Sequence, residues 1–444
     1  MPQRSPFAPR RRLRPLRLLG VVAAIGAAAV GYRVLAAHAP AARPSHAQLP
    51  AATRLGAAPP AGKATVWPVA AGVKGAPSFP AAGVEVMDAR TGAVLLARNP
   101  QREVQPASLA KMMTFDLALR AIAQHRLTPA TMVPISRAAV RMSLCASCGA
   151  SNMYLGKGTP VSAANLLKGL MISSGADAAI ALADHLAGSQ ANFVAMMNRE
   201  AARLGMRHTH FMNPHGLYAK GQYSTAGDMA LLARHIWRTY PTFSQYTDLP
   251  RFTWAHVTAV NYNWLIGHHM DAAVNGLKSG FVGQGWHLVA TADKGGQELI
   301  AVVMGTPTEQ ASAVDDQALL NWAFAHFHDV PLRLTGTLPQ SARVWEGTAT
   351  SVPLAVHAPG WLTLPGAAPA RPASPTIHVH LQTPLVAPLR KGQTVGTLTV
   401  ANAGTTVLSL PLTTTQAVAR GMVVHVLWDR LRLAIARAWA HLHL

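Results

Sequence analysis

Ser108 and Lys111, set in Pro106-Ala107-Ser108-Leu109-Ala110-Lys111-Met112-Met113-Thr114, put a hydroxyl and an amine three residues apart at the head of an apolar stretch of helical composition. Residues three apart on a helix are neighbours on one face. A serine hydroxyl is a poor nucleophile at its own pKa, and an adjacent lysine activates it only when burial or positive charge lowers the lysine's pKa. The pair therefore demands a fold in which the first turn of this helix opens into a cleft while its lysine is enclosed. A lone Ser-x-x-Lys is a weak signal, because an N-cap serine beside a solvated lysine has the same spacing. The downstream order gives it weight. Ser174-Gly175-Ala176 closes an apolar run, and Lys278-Ser279-Gly280 precedes the strand-like Trp286-His287-Leu288-Val289-Ala290-Thr291-Ala292.

Composition bounds the class. The chain has 444 residues, enough for two or three domains, and 50% hydrophobic content, enough for sizeable cores. A formal charge of +21 favours anionic surfaces: nucleic acid, phospholipid headgroups or cell-wall polymer. No helix-turn-helix, zinc-finger or RNA-recognition pattern is present, which argues against nucleic acid. The densest arginine cluster is Arg4, Arg10, Arg11, Arg12, Arg14 and Arg17, directly before an apolar run at residues 18 to 32. That order is the charged region and apolar region of an export signal, and the run is short for a bilayer span of about 20 residues. Residues 1–39 are accordingly an export signal or N-terminal anchor, and residues 40–74, rich in Ala and Pro, a linker. Only two cysteines occur, Cys145 and Cys148. With no second pair for zinc and no thioredoxin pattern, a local disulfide is the favoured reading for an exported chain.

The motifs, read with their surroundings, resemble the D-alanyl-D-alanine carboxypeptidases among the low-molecular-mass penicillin-binding proteins. Ser-x-x-Lys, Ser-x-Asn and Lys-Thr/Ser-Gly follow in that order in such proteins. Gly83-Val84-Glu85-Val86-Met87-Asp88 with Thr91-Gly92-Ala93-Val94-Leu95 is similar to the family's opening hairpin. Thr209-His210-Phe211-Met212-Asn213-Pro214-His215-Gly216-Leu217 with Tyr223-Ser224-Thr225-Ala226-Gly227-Asp228-Met229 resembles its central signature, and Ala387-Pro388-Leu389-Arg390-Lys391-Gly392 its C-terminal β-domain. The resemblance runs from about residue 65 to 444.

It implies a penicillin-binding, serine β-lactamase-like transpeptidase fold of the α/β (α+β) kind at residues 75–330, then a small β-rich domain at residues 331–416. It also implies a site. Ser108 would attack the penultimate D-Ala carbonyl of a peptidoglycan stem pentapeptide, Lys111 would take its proton, and Ser174 would relay a proton to the leaving amine. Lys278 and Ser279 would hold the substrate carboxylate. The Ser108 and Phe281 backbone N–H groups, the latter following Gly280, would form the oxyanion hole. β-Lactams would acylate the same serine. No cofactor and no metal is implied; His208, His210, His268 and His269 lack carboxylates at ligand spacing.

The pattern is broken in places. Ala176 stands where Ser-x-Asn has its amide, Tyr262 where close carboxypeptidases carry a carboxylate-binding Arg, and Phe281 where they carry His. The first change bears on activity, the others on specificity. Two readings follow: an active serine carboxypeptidase or DD-endopeptidase, and a catalytically impaired penicillin- and wall-binding protein.

The tail differs from the rest. In residues 421–444, Val424, Leu427, Trp428, Leu431, Ile435, Ala438, Trp439 and Leu442 form one stripe at helical spacing, with Arg430 and Arg437 elsewhere and Arg432 at its edge. Such an amphipathic helix suits an anionic membrane surface. The expected location is the periplasmic face of the bacterial inner membrane, held peripherally.

Overall fold

The computed structural model describes residues 73–283, 285–332, 339–356, 358, 360–366, 376–402 and 405–442, without the side chains of 405 and 436–442. These all belong to one unit, Lys63–Leu444. The export segment and nearly all of the linker lie outside the described residues, as do the side chains of Arg437, Ala438, Trp439 and Leu442.

The central element is a five-stranded antiparallel sheet, in the order Val94–Arg98, Gly83–Asp88, Gln297–Thr306, Gly285–Lys294, Val274–Val282. Both faces are covered. Ile300, Val302 and Met304 pack into the core beneath the helical region, while Leu299, Ala301 and Val303 face the helix Glu309–His326. Successive side chains of a strand point to opposite faces, so a strand buried on both sides reads as the continuous apolar run seen here. The first hairpin turns on Asp88, whose Oδ1 accepts the Thr91 N–H at 2.7 Å and the Thr91 hydroxyl at 2.9 Å. The helices start where a side chain satisfies a free N–H: Ser162, Ser189, Thr225 and Thr308 each cap one.

The Ser108 helix begins more tightly than its composition indicates. Ala107–Ala110 is a 3-10 turn, and the α-helix proper is Lys111–Ala123. Ala107 has a φ of 49°, so the chain enters this turn from a conformation that L residues rarely adopt.

The helix Glu309–His326 runs directly into the strand Phe327–Pro331, which pairs with Trp361–Pro365. The strand Phe327–Pro331 thus opens the β-rich part of the chain, and no linker separates it from the helix. That part holds a six-stranded sheet ordered Thr376–Leu381, Thr394–Asn402, Thr405–Thr414, Ser351–Val356, Ser341–Trp345, Leu385–Val386. The joint to the catalytic body is polar. The hydroxyls of Thr91 and Thr363 lie 2.6 Å apart, Thr363 donates to Asp329 Oδ1 at 2.9 Å, and Arg90 lies 4.4 Å over the Trp361 ring. Burial, with the charge of Asp88, raises Asp329 to about 7.

The terminal helix is Val423–Leu442. Arg420 and Arg430 reach the Glu346 carboxylate, and the Asp429 carboxylate accepts the Glu346 N–H at 2.7 Å. Its polar side is therefore held to the β-domain. Val424, Leu427, Trp428, Leu431 and Ile435 remain exposed.

Candidate active site

Three elements meet at Ser108. Lys111 Nζ lies 2.8 Å from Ser108 Oγ and donates to the His215 carbonyl at 2.6 Å. The lysine is 2% exposed, and burial, followed by the charge of Lys278, drives its pKa well below the ordinary value. An amine so placed sheds its proton and can receive one from the serine.

The His215 carbonyl is delivered by the Thr209–Leu217 stretch, which is knitted to itself and its neighbours. Asn213 Oδ1 accepts the Gly216 N–H at 2.6 Å, its Nδ2 donates to Leu217 O, and the Thr209 hydroxyl donates to Asp228 at 2.6 Å. Thr114, on the Ser108 helix, donates to Pro214 O at 2.7 Å and fastens the two together. The His215 ring contributes no cation: burial and Lys111 lower it to about 3.

Lys278, Ser279 and Gly280 lie on Val274–Val282, the edge strand of the sheet. Lys278 is 1% exposed, and burial lowers its pKa to about 7 against the opposing pull of Glu309. Ser279 is buried, and Gly280 passes against the backbone of Ser108 and Leu109. Phe281 carries the next N–H, while its exposed ring packs 4.4 Å from that of Trp286.

Ser174 occupies the turn between the helices Ala163–Met171 and Ala176–Ala187, buried, with a φ of 58°. Ala176 is buried too, its N–H given to Ser151 O at 2.8 Å. The residue after it is a clamp that the motif reading missed. The fully buried carboxylate of Asp177 accepts the N–H groups of Met153 at 2.9 Å and Leu155 at 3.2 Å and the Ser143 hydroxyl at 2.7 Å. It thereby ties the Ser143 helix and the segment holding Met153 and Leu155 to the start of the helix after Ser174, and Cys145 and Cys148, between those two partners in sequence, form a disulfide. In sequence Asp177 is only an acid in the first turn of a helix, a position explained by the helix dipole alone.

Among the described residues, Asp116, Glu200 and His235 form one cluster with metal-ligand chemistry. Arg120 and Arg203 already engage both Glu200 oxygens, so the cluster is better described as an ion-pair network behind the catalytic helix.

A serine and an enclosed lysine base, faced by a buried cation on an edge strand, define a serine acyl-transfer hydrolase. Residues 72–308 match the family model described as D-alanyl-D-alanine carboxypeptidase, and residues 327–420 match that of the penicillin-binding protein 5 C-terminal domain. The chain belongs to the D-alanyl-D-alanine carboxypeptidase family and is a serine-type peptidase. It is 36% identical over 346 residues to D-alanyl-D-alanine carboxypeptidase DacD of Salmonella typhimurium, covering 78% of this chain and 88% of that one. Penicillin binding protein 5 from Haemophilus influenzae superposes with a TM-score of 0.68 at 34% identity, covering 78% of this chain and 99% of the other. Penicillin-binding protein D2 from Listeria monocytogenes, solved in a cefotaxime-bound form, is similar at a TM-score of 0.50 and 28% identity, over 56% of this chain and 99% of that one.

Proposed function

We propose that Ser108 removes the terminal D-alanine from peptidoglycan stem pentapeptides. The observation that carries this is the neutral-leaning Lys111 amine at 2.8 Å from Ser108 Oγ. Lys111 takes the hydroxyl proton as Oγ bonds to the penultimate D-Ala carbonyl carbon. The N–H groups of Ser108 and Phe281 stabilise the oxyanion. As the C–N bond breaks, the proton passes through Ser174 to the departing amine, and D-Ala leaves. Water then attacks the acyl-enzyme, with Lys111 again as base. Lys278 and the Ser279 hydroxyl hold the terminal carboxylate. β-Lactams enter by the same first step, which fits the family and the cefotaxime-bound relative. The test is D-Ala release from a pentapeptide, lost in Ser108→Ala and reduced at least 1,000-fold in Lys111→Ala, on the order of losing one triad member.

The protein works, in this reading, at the periplasmic face of the inner membrane after export. Two observations support the placement: the arginine-rich start before residues 18–32, and the exposed apolar stripe of a helix whose polar side is clasped by Glu346. Among the described residues no helix is long and apolar enough to cross a membrane, so the terminal helix would lie in the headgroup boundary.

A further inference from the structure

The helix Arg137–Ser143 and the segment at residues 151–155 are both tied to the first turn of the helix after Ser174. On one side the Ser143 hydroxyl donates to Asp177 Oδ2 at 2.7 Å. On the other, Met153 and Leu155 give their N–H groups to the same carboxylate, Asn152 Oδ1 accepts the Asp177 N–H at 3.2 Å, and Ser151 O accepts the Ala176 N–H at 2.8 Å. The two sides also meet each other, Asn152 Nδ2 donating to Met142 O at 3.1 Å. Ser174 is two residues before Ala176, so its turn is positioned by both sides together.

Between those sides the chain runs out over the surface. Ala146–Cys148 is a 3-10 turn with no buried residue, Leu144 is 78% exposed, and Gly149 turns the chain back with a φ of 62°. The Cys145 N–H goes to Met142 O and the Cys148 N–H to Cys145 O, so these bonds stay local. The Cys145–Cys148 disulfide, rather than packing, closes this loop. Cys148 is exposed and open to attack by an external thiolate. Residues 137 to 157 carry three cations, Arg137, Arg141 and Lys157, and no carboxylate, a setting that favours thiolates.

We propose that this disulfide is a reversible redox site: its oxidised form holds the Ser174 turn ready for acylation, and a dithiol protein that opens it slows the enzyme. The proposal rests on the serine-hydrolase reading above and adds regulation to it. A thiolate of the dithiol partner attacks Cys148 Sγ, the Sγ–Sγ bond breaks, and Cys145 leaves as a thiolate that takes up a proton. The partner's second thiol, deprotonated, attacks its own sulfur in the mixed disulfide and releases Cys148, which is protonated in turn. The partner ends as a disulfide and this chain as a dithiol, two electrons and two protons having passed. Exposed disulfides are the kind that such exchange reaches. Without the cross-link the open loop has more conformations available, so local opening becomes easier and the partners of Asp177 separate more often.

The test uses the full chain, oxidised or reduced with dithiothreitol, with free thiols counted by intact mass after N-ethylmaleimide. Acylation of Ser108 by benzylpenicillin should slow about tenfold on reduction, the order expected for losing a short cross-link, and recover with oxidised glutathione. Cys145→Ser with Cys148→Ser should be slow and indifferent to dithiothreitol; if that variant does not fold, the wild type's recovery on reoxidation decides. Amide hydrogen exchange at Met153 and Leu155 should quicken on reduction. Equal acylation rates before and after complete reduction, or a disulfide that dithiothreitol leaves intact in the folded protein, overturns the proposal. So does a folded double variant that responds to dithiothreitol as the wild type does. Exchange is read without Ser108 chemistry, so the two readings fail separately. Faster exchange on reduction with no acylation of either form would sustain the redox-controlled loop and overturn the nucleophile assignment. Normal acylation with exchange unaltered by reduction would do the reverse.

Discussion

A Cβ added to Gly280 would stand 3.1 Å from the backbone nitrogen of Ser108. The edge strand and the nucleophile's turn therefore approach closely at the Ser108 and Leu109 nitrogens and the Ala107 Cβ, and in the proposed mechanism that approach sets the two oxyanion donors. Gly280→Ala should push the strand away from the turn and lower penicillin acylation of Ser108 about 10- to 100-fold, a loss comparable to that of one oxyanion donor. Because Gly280 is buried against that turn, the thermal midpoint should fall as well, so acylation is compared at a temperature where both proteins are folded. An unchanged acylation rate would show that the strand does not supply an oxyanion donor.

Ala176 should limit turnover. The neighbouring Asn152 amide is turned to Met142 O and Ala150 O, and does not substitute for a side-chain amide at position 176. Ala176→Asn is expected to raise D-Ala release from a pentapeptide by about 10- to 100-fold. A rate that stays level or falls means that another group holds the substrate carbonyl.

The acidity of Lys278 sets an upper pH limit. Its pKa is lowered to about 7, so its charge is present below that pH and lost above it. Since kcat/KM reports the free enzyme, the value for pentapeptide should fall as pH rises through 7. Glu309 raises the Lys278 pKa, so Glu309→Gln should shift this descending limb to lower pH. A limb that stays in place would show that Lys278 is not the group titrating.

The terminal helix should carry membrane attachment in a form lacking the residues before Lys74. Truncation after Arg420, or Trp428→Ser with Trp439→Ser, should reduce binding to anionic liposomes at least tenfold and leave penicillin acylation intact. Each arginine near such a surface contributes about 1 kcal/mol, so the tryptophans should matter as much as the charges. Undiminished sedimentation of the truncated form would place a membrane contact within residues 74–420 and contradict the role given to the helix.

Much of the fold was legible where the signal was local. Ser108 and Lys111 are a single helical turn apart, the strand Gln297–Thr306 is a continuous apolar run, and the terminal stripe repeats at helical spacing. What was not legible depends on distant backbone. The His215 carbonyl that Lys111 contacts is a backbone oxygen, which no residue type advertises. Asp177 finds its partners in a loop more than twenty residues earlier, and Glu346 finds Arg430 far along the chain. The start of the β-domain was blurred because a helix passes into a strand without turn chemistry between them.

The most direct test of the central claim is the intact mass of the protein after incubation with benzylpenicillin. The account requires one covalent adduct, mapped by peptide digestion to Ser108, and none in Ser108→Ala. No adduct in the wild type, or an equal adduct in Ser108→Ala, would contradict it.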